Sequence, residues 1–156
     1  MSLYLPTAGL VAQAWLGQRV PGITPGMVAA NLPRDLTTWA ADGFVQVSIV
    51  PGAAPIDSGD RRTTLAQIDS WAVTVDSSGG VAAKPPVGKA TKNAELIMRA
   101  TEDDVQAFGQ VVTLPAAYAP ARVLAVYPQT EPSEVPGDPG GYARVTLDLR
   151  IDWVRA

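Results

Sequence analysis

Glu102, Asp103 and Asp104 form the longest run of carboxylates in this 156-residue chain. Three adjacent acids could hold a divalent ion or divide the work of an acid/base pair. No other polar group obviously converges on them, so a solvated helical turn is the expectation. Asp57 and Asp60 flank Ser58-Gly59 and superficially resemble a calcium loop, but the D-x-D-x-D-G alternation that supplies the ligands is missing. A turn is expected there instead. Gly88-Lys89 hints at a phosphate loop, yet Ala83 stands where the first glycine belongs, and Ala90 replaces the hydroxyl that would hold magnesium. Histidine and cysteine are both absent. Their absence removes the commonest general base, the commonest metal ligand and any thiolate chemistry or disulfide frame. A nucleophile would have to be Ser, Thr, Lys or a carboxylate, and neither a G-x-S-x-G elbow nor a G-x-G-x-x-G turn occurs. The expectation is a protein that is not an enzyme, with no catalytic residue, no metal and no cofactor.

What remains suits contact rather than reaction. Arg61-Arg62 follows the Asp57–Asp60 turn and reads either as a contact point for an acidic neighbour or as a solvated strand start. Among the four tryptophans, Trp15, Trp71 and Trp153 sit on apolar faces and are expected in the core. Trp39 lies in a segment without clear periodicity and is the candidate interface anchor.

The elements that would position these groups follow from periodicity. Residues 7–20 read as a helix, with Thr7 as N-cap, Leu10, Val11, Ala14 and Trp15 at helical spacing, and Pro21-Gly22 as the stop. Residues 23–43 are punctuated by Pro25, Gly26 and Pro33; a short helix around 26–31 and a turn over 34–41 are expected. Phe44 to Val50 alternates as a strand, and a second strand is expected over 64–75, with Trp71, Val73 and Val75 sharing one face. Residues 87–107 read as the main helix, with Val87, Ala90, Ala94, Ile97 and Val105 near one stripe and a possible restart at Thr101–Asp104. Residues 121–127 are almost continuously apolar, as an interior strand would be, and 128–141 is rich in Pro and Gly and is expected to be irregular. Over 142–154, Val145, Leu147, Leu149, Ile151 and Trp153 alternate with Arg144, Thr146, Asp148, Arg150 and Asp152, which predicts one buried and one polar face. These elements add up to an α+β fold. Its sheet is mostly antiparallel or mixed, with about four to five strands, covered by a long helix and an N-terminal helix within a single domain spanning 1–156.

Apolar residues make up 47% of the chain and charged ones only 17%, against roughly 25% charged in an average soluble domain. So sparse a charged skin suggests surface covered by a partner or by further copies. The net charge of −3, without a cluster of Lys and Arg, lacks the footprint of a nucleic-acid grip. Pro6 and Gln13 interrupt the opening residues and no positive segment precedes an apolar run, so no signal peptide is expected. No membrane span is expected either, and the reading is of a soluble intracellular protein.

The segment RRTTLAQIDSWAVTVDSSGGVAAKPPVGKATKNAELIMRATED resembles the centre of the tail terminator (tail completion) proteins of long-tailed, siphovirus-type bacteriophages. FVQVSIVPGAAPIDSGDRR is similar to their first strand and following loop. YARVTLDLRIDWV, after the loop PSEVPGDPGG, is similar to their closing strand. The likeness covers about 44–154 and lies in the order of elements more than in fixed residues. It implies a non-catalytic virion protein of the tail or neck, assembled in the host cytoplasm. Copies would form a ring, a hexamer by the family pattern, that caps the tail tube, ends its polymerisation and meets the head–tail connector. DNA would pass through the lumen without specific binding. Partners implied are further copies of the chain, the tail tube protein and the connector protein, with no membrane. On this reading Asp57, Asp60, Arg61 and Arg62 meet the tube or a neighbouring subunit, and the 128–141 loop, with Glu131, Glu134 and Asp138, takes the opposite or lateral contact. Another neck or tail-tube subunit, or a monomeric binding module of a mobile element, are the competing expectations.

Overall fold

A computed structural model describes residues 3–51, 61–136 and 140–156. The first helix, α1 (Ala8–Arg19), is capped as its sequence predicts, the Thr7 hydroxyl accepting from the Leu10 amide at 3.4 Å. Val11, Ala12, Trp15 and Leu16 form its buried stripe. The helix expected near 26–31 is instead a single 3-10 turn, Pro25–Met27, running into a two-residue strand, β1 (Val28–Ala29). β-Branched Val28 gains more by pairing in parallel with Val45 than by continuing a helix. A second 3-10 turn, Leu36–Thr38, starts on Asp35, whose carboxylate accepts from the Thr37 amide at 3.0 Å.

The sheet is built by β2 (Phe44–Ile49), β3 (Arg62–Ala72), β4 (Phe108–Val112), β5 (Ala121–Pro128), β6 (Ser133–Glu134) and β7 (Ala143–Arg155). Between β3 and β4 the chain forms α2 (Val87–Glu102) and the one-turn α3 (Asp104–Ala107). Strand order is β1-β2-β3-β7-β5-β4, with β6 also paired to β7. The sheet is therefore mixed, wider than the four to five strands expected, because β1, β4 and β6 are too short or too polar to read as strands. The last strand is the centre of the fold: β7 pairs with β3 along all of Arg62–Ala72 and with β5 on its other edge.

One face of this sheet carries the main core, under α1 and α2. Val145, Leu147, Leu149, Ile151 and Trp153 are all buried on it, as their alternation predicts. Each contributes about 1.5–3 kcal/mol over exposure. On β3 the core-facing residues are Thr64, Ala66, Ile68, Ser70 and Ala72. Several are small, and so are the facing Ala90 and Ala94 of α2. The helix thus comes close enough for the Ser70 hydroxyl to donate to the Ala90 carbonyl at 2.7 Å. Trp71, expected in the core, therefore points to the opposite face: β3 ends at Ala72, and a tryptophan would not fit beneath so close a helix. Val105, expected on the buried stripe of the main helix, is 65% exposed. The chain breaks at Asp103, which caps α3 by accepting from the Val105 amide at 2.8 Å, and this turns Val105 away from the α2 stripe.

Residues 29–44 fold over the opposite face at one end. There Trp39, Phe44 and Val73 form a second, smaller core with Trp71 and Tyr142 packed against it. None of the described helices is long and apolar enough to cross a membrane.

Candidate functional site

The face of the sheet away from α1 and α2 gathers most of the polar chemistry of the chain. Strand alternation places Thr63, Leu65, Gln67, Asp69 and Trp71 of β3 on it, beside Arg144, Thr146, Asp148, Arg150 and Asp152 of β7. At one end the small aromatic core closes the face, with Arg144 5.0 Å from the centre of the Trp71 ring. At the other end Phe108 and Tyr127 meet edge to face, their centroids 6.2 Å apart, both 42% exposed.

Asp152 is the most constrained ionisable group on this face. It lies on the polar face where the alternation places it, and its side chain is only 3% exposed. Its carboxylate accepts from Thr63 Oγ1 at 2.9 Å, from Arg150 Nε and Nη2 at 3.1 Å each, and from Arg61 Nη2 at 3.0 Å. Burial pushes the Asp152 pKa up, but the donors of Arg150, Thr63 and Arg61 outweigh it and hold the carboxyl below its ordinary value. The bond to Asp152 correspondingly raises the pKa of Arg150. The two cations are nearly half exposed, at 46% and 44%, so only the carboxylate bears the desolvation. The arrangement pins the start of β3 to the central strand. It leaves no lone pair poised for proton transfer.

Other residues singled out in the sequence are scattered by the fold. Trp39 is 4% exposed, donates its indole N–H to the Pro33 carbonyl at 3.2 Å, and lies 6.2 Å from Phe44 and 6.3 Å from Tyr142. It is a core residue of the second cluster and presents no surface for a partner. Arg61 and Arg62 do not act as a pair, because consecutive strand residues point to opposite faces. Arg61 turns to Asp152, and Arg62 lies half-buried, 5.9 Å from the Trp153 ring centre. Glu131 and Glu134 are exposed. The stretch expected to be irregular keeps β6 and three further ties to β7: Gln129 N–H to the Asp148 carbonyl, the Asp148 N–H to Thr130 Oγ1, and Val135 N–H to the Arg144 carbonyl. Asp57, Asp60 and Asp138 lie outside the described residues. Glu102, Asp103 and Asp104 are exposed, and among the described residues no three acids are close enough to hold a metal ion.

The periphery is where the surface is apolar. Val105, Phe108 and Val111 stand exposed on α3 and β4, and Phe108 meets Tyr127 of β5. The outer edge of β4 is closed by α1: Gln18 donates to the Thr113 carbonyl at 2.7 Å and accepts from its amide at 3.0 Å, and Arg19 donates to the Val111 carbonyl at 2.7 Å. That clasp blunts an edge which would otherwise pair with another chain. Across the molecule, a cleft of about 420 Å³ opens beside α2, lined by Met27, Leu96, Lys89, Lys92 and Asn93. Sequence reasoning missed both surfaces. The unread strand β4 hid the first, and the second is built from three segments distant in the chain. No protein-family model and no curated protein matches this sequence.

Proposed function

We propose that this chain is a structural subunit that assembles with copies of itself into a ring of the tail terminator kind, capping a phage tail tube and presenting its other side to the head–tail connector. The observation that carries the reading is the order of elements around one central closing strand. A helix comes first, then an antiparallel pair, one long helix, and a final hairpin whose last strand lies between both halves of the sheet. Apart from the short strands β1, β4 and β6, this is the order the sequence resemblance implies.

Two further features support it. Charged residues are 17% of the chain, and the exposed large apolar side chains fall into two groups, Leu3, Tyr4 and Leu5 near the N-terminus and Val105, Phe108, Val111 and Tyr127 on or beside α3, β4 and β5, rather than being scattered singly. On the polar sheet face the Asp152 cluster of Arg61, Thr63 and Arg150 ties β3 to β7, which suits a scaffold. DNA would pass such a ring without being gripped, since the net charge is −3 and no basic run is present.

The test is negative-stain electron microscopy of the purified protein at high concentration, with its mass in solution by light scattering. Closed rings of uniform size, with a hole that admits duplex DNA, are expected. Open-ended tubes would replace this reading with a tube subunit, and a strict monomer that also fails to bind tail-tube ends would replace it with a binding module.

A further inference from the structure

Lysines gather toward the start of α2 and acids at its end, where Arg99 is the cation of the last turn. All three lysines of the chain, Lys84, Lys89 and Lys92, lie within nine residues around its start. Glu102, Asp103 and Asp104 lie at its end. Two of these residues have work inside the molecule. Lys89 donates to the Ala40 and Ala41 carbonyls at 3.1 and 3.0 Å, and Asp103 caps α3. Lys84, Lys92, Glu102 and Asp104 are exposed and make no ion pair among the described residues. The field of α2 itself disfavours a cation just ahead of its start and an anion on its last residue. Helix stability therefore does not account for Lys84 or Glu102.

Each charged end adjoins a different kind of surface. Beside the acids stand the exposed apolar residues Val105, Phe108 and Tyr127. Beside Lys89 and Lys92 opens the cleft of about 420 Å³, with Met27, Leu96 and Asp42 also in its lining. The first surface has three acids at its rim, with Arg150 5.8 Å from the Tyr127 ring centre; the second is recessed and sets Lys89 and Lys92 against the single acid Asp42. Ten residues of helix separate Lys92 from Glu102, about 15 Å at 1.5 Å per residue, so one copy cannot satisfy both by itself.

We propose that the acid-rimmed apolar corner at α3 and β4 of one copy seats in the lysine-rimmed cleft beside α2 of the next. The occupant of each surface is thus a second copy of this chain. The two surfaces differ, so the contact is heterologous and repeats head to tail, the kind of contact that closes into a ring when the rotation allows. The proposal rests on the ring reading above and names the faces that meet. A stable interface removes about 800 Å² from each partner, about a tenth of the 8256 Å² surface. Three or four exposed side chains do not reach that area alone, so the charged rims belong to the contact.

Two charge-reversal variants test it. One carries Glu102→Lys with Asp104→Lys, and the other carries Lys92→Glu, which leaves a second carboxylate beside Asp42 against Lys89 in the cleft. Each is checked for native folding by circular dichroism and thermal melting, and then sized by sedimentation and light scattering beside the wild type. Each variant alone should associate at least tenfold more weakly than the wild type, because both of its rims now carry one net sign. An equimolar mixture should recover assembly, since each rim then meets its opposite on the other variant. If the wild type forms rings and both variants assemble equally well, these faces are wrong while the ring reading stands. If the mixture recovers long open polymers instead of closed particles, the faces are right and the ring reading fails. A wild type that stays monomeric at every concentration overturns the proposed contact.

Discussion

Asp152→Asn isolates the cluster that ties the start of β3 to the centre of the sheet. Asparagine keeps the shape and can still accept from Thr63, but it loses the charge that faces Arg61 and Arg150. Hydrogen bonds to charged groups are worth about 1.5–3 kcal/mol each. Two arginines donate here, at 3.0 and 3.1 Å, and a full loss would be several kcal/mol. Both guanidinium groups are nearly half exposed, however, and recover water when released, which lowers the net cost to about 2 kcal/mol. For a chain of this length that corresponds to a fall of about 4–8 °C in melting temperature. The pH dependence fixes the cause. The folded carboxyl has its pKa depressed, so its contribution is present above the unfolded value of about 3.9 and is lost as pH falls through the folded value. The difference between wild type and variant, measured by urea titration followed by tryptophan fluorescence, should be constant from pH 5 to 8 and shrink below about pH 4. A difference under 0.5 kcal/mol at pH 7, or one that persists unchanged at pH 2.5, would refute the view that a charged, buried Asp152 holds these strands.

Two further substitutions probe the smaller core. Trp39→Ala should cost about 3–5 kcal/mol, the range for a large buried aromatic, read as a lower urea midpoint with an unchanged m-value; a loss under 1 kcal/mol would mean that the side chain is not buried in solution. Gly43→Ala should cost about 2–3 kcal/mol. Its φ of 83° is disfavoured for alanine, and the added Cβ would lie 2.7 Å from Asn93 Nδ2 and 3.0 Å from the Trp71 carbonyl. It would thereby strain the 2.9 Å bond from Asn93 to the Asp42 carbonyl, and a thermally neutral variant would show that this turn relaxes freely.

The parts of the fold legible in the sequence are those in which one local pattern is also the global one. Residues 143–155 alternate cleanly because β7 is central and its helix-covered face is apolar along its length. Thr7, Trp15 and Pro21 delimit α1 because capping and termination are local chemistry. The reading fails where the partner decides. The apolar residues of β3 suggest a buried face through Trp71, but α2 approaches through Ala90 and Ala94, so the core takes Ala66, Ser70 and Ala72 instead. β4 was not read at all, since Phe108, Gly109 and Gln110 give no period of two, and its edge is closed by side chains of α1.

The candidate surfaces were legible only as types of residue. Alternation says that Asp152 shares a face with Arg150; it does not say that two arginines and a threonine converge on it and exclude water. Trp39 illustrates the opposite error, since a tryptophan outside any periodic segment looks unassigned, yet residues 29–44 supply their own small core for it. Periodicity specifies which side chains share a face. What covers that face depends on segments far away in the chain, and for an assembling protein the last cover comes from another copy. The charges at the ends of α2 are therefore the informative case. Lys84 and Glu102 run against the field of α2 and gain no ion pair within the described fold, so the acidic end of the helix is where the proposed contact between copies is most directly tested.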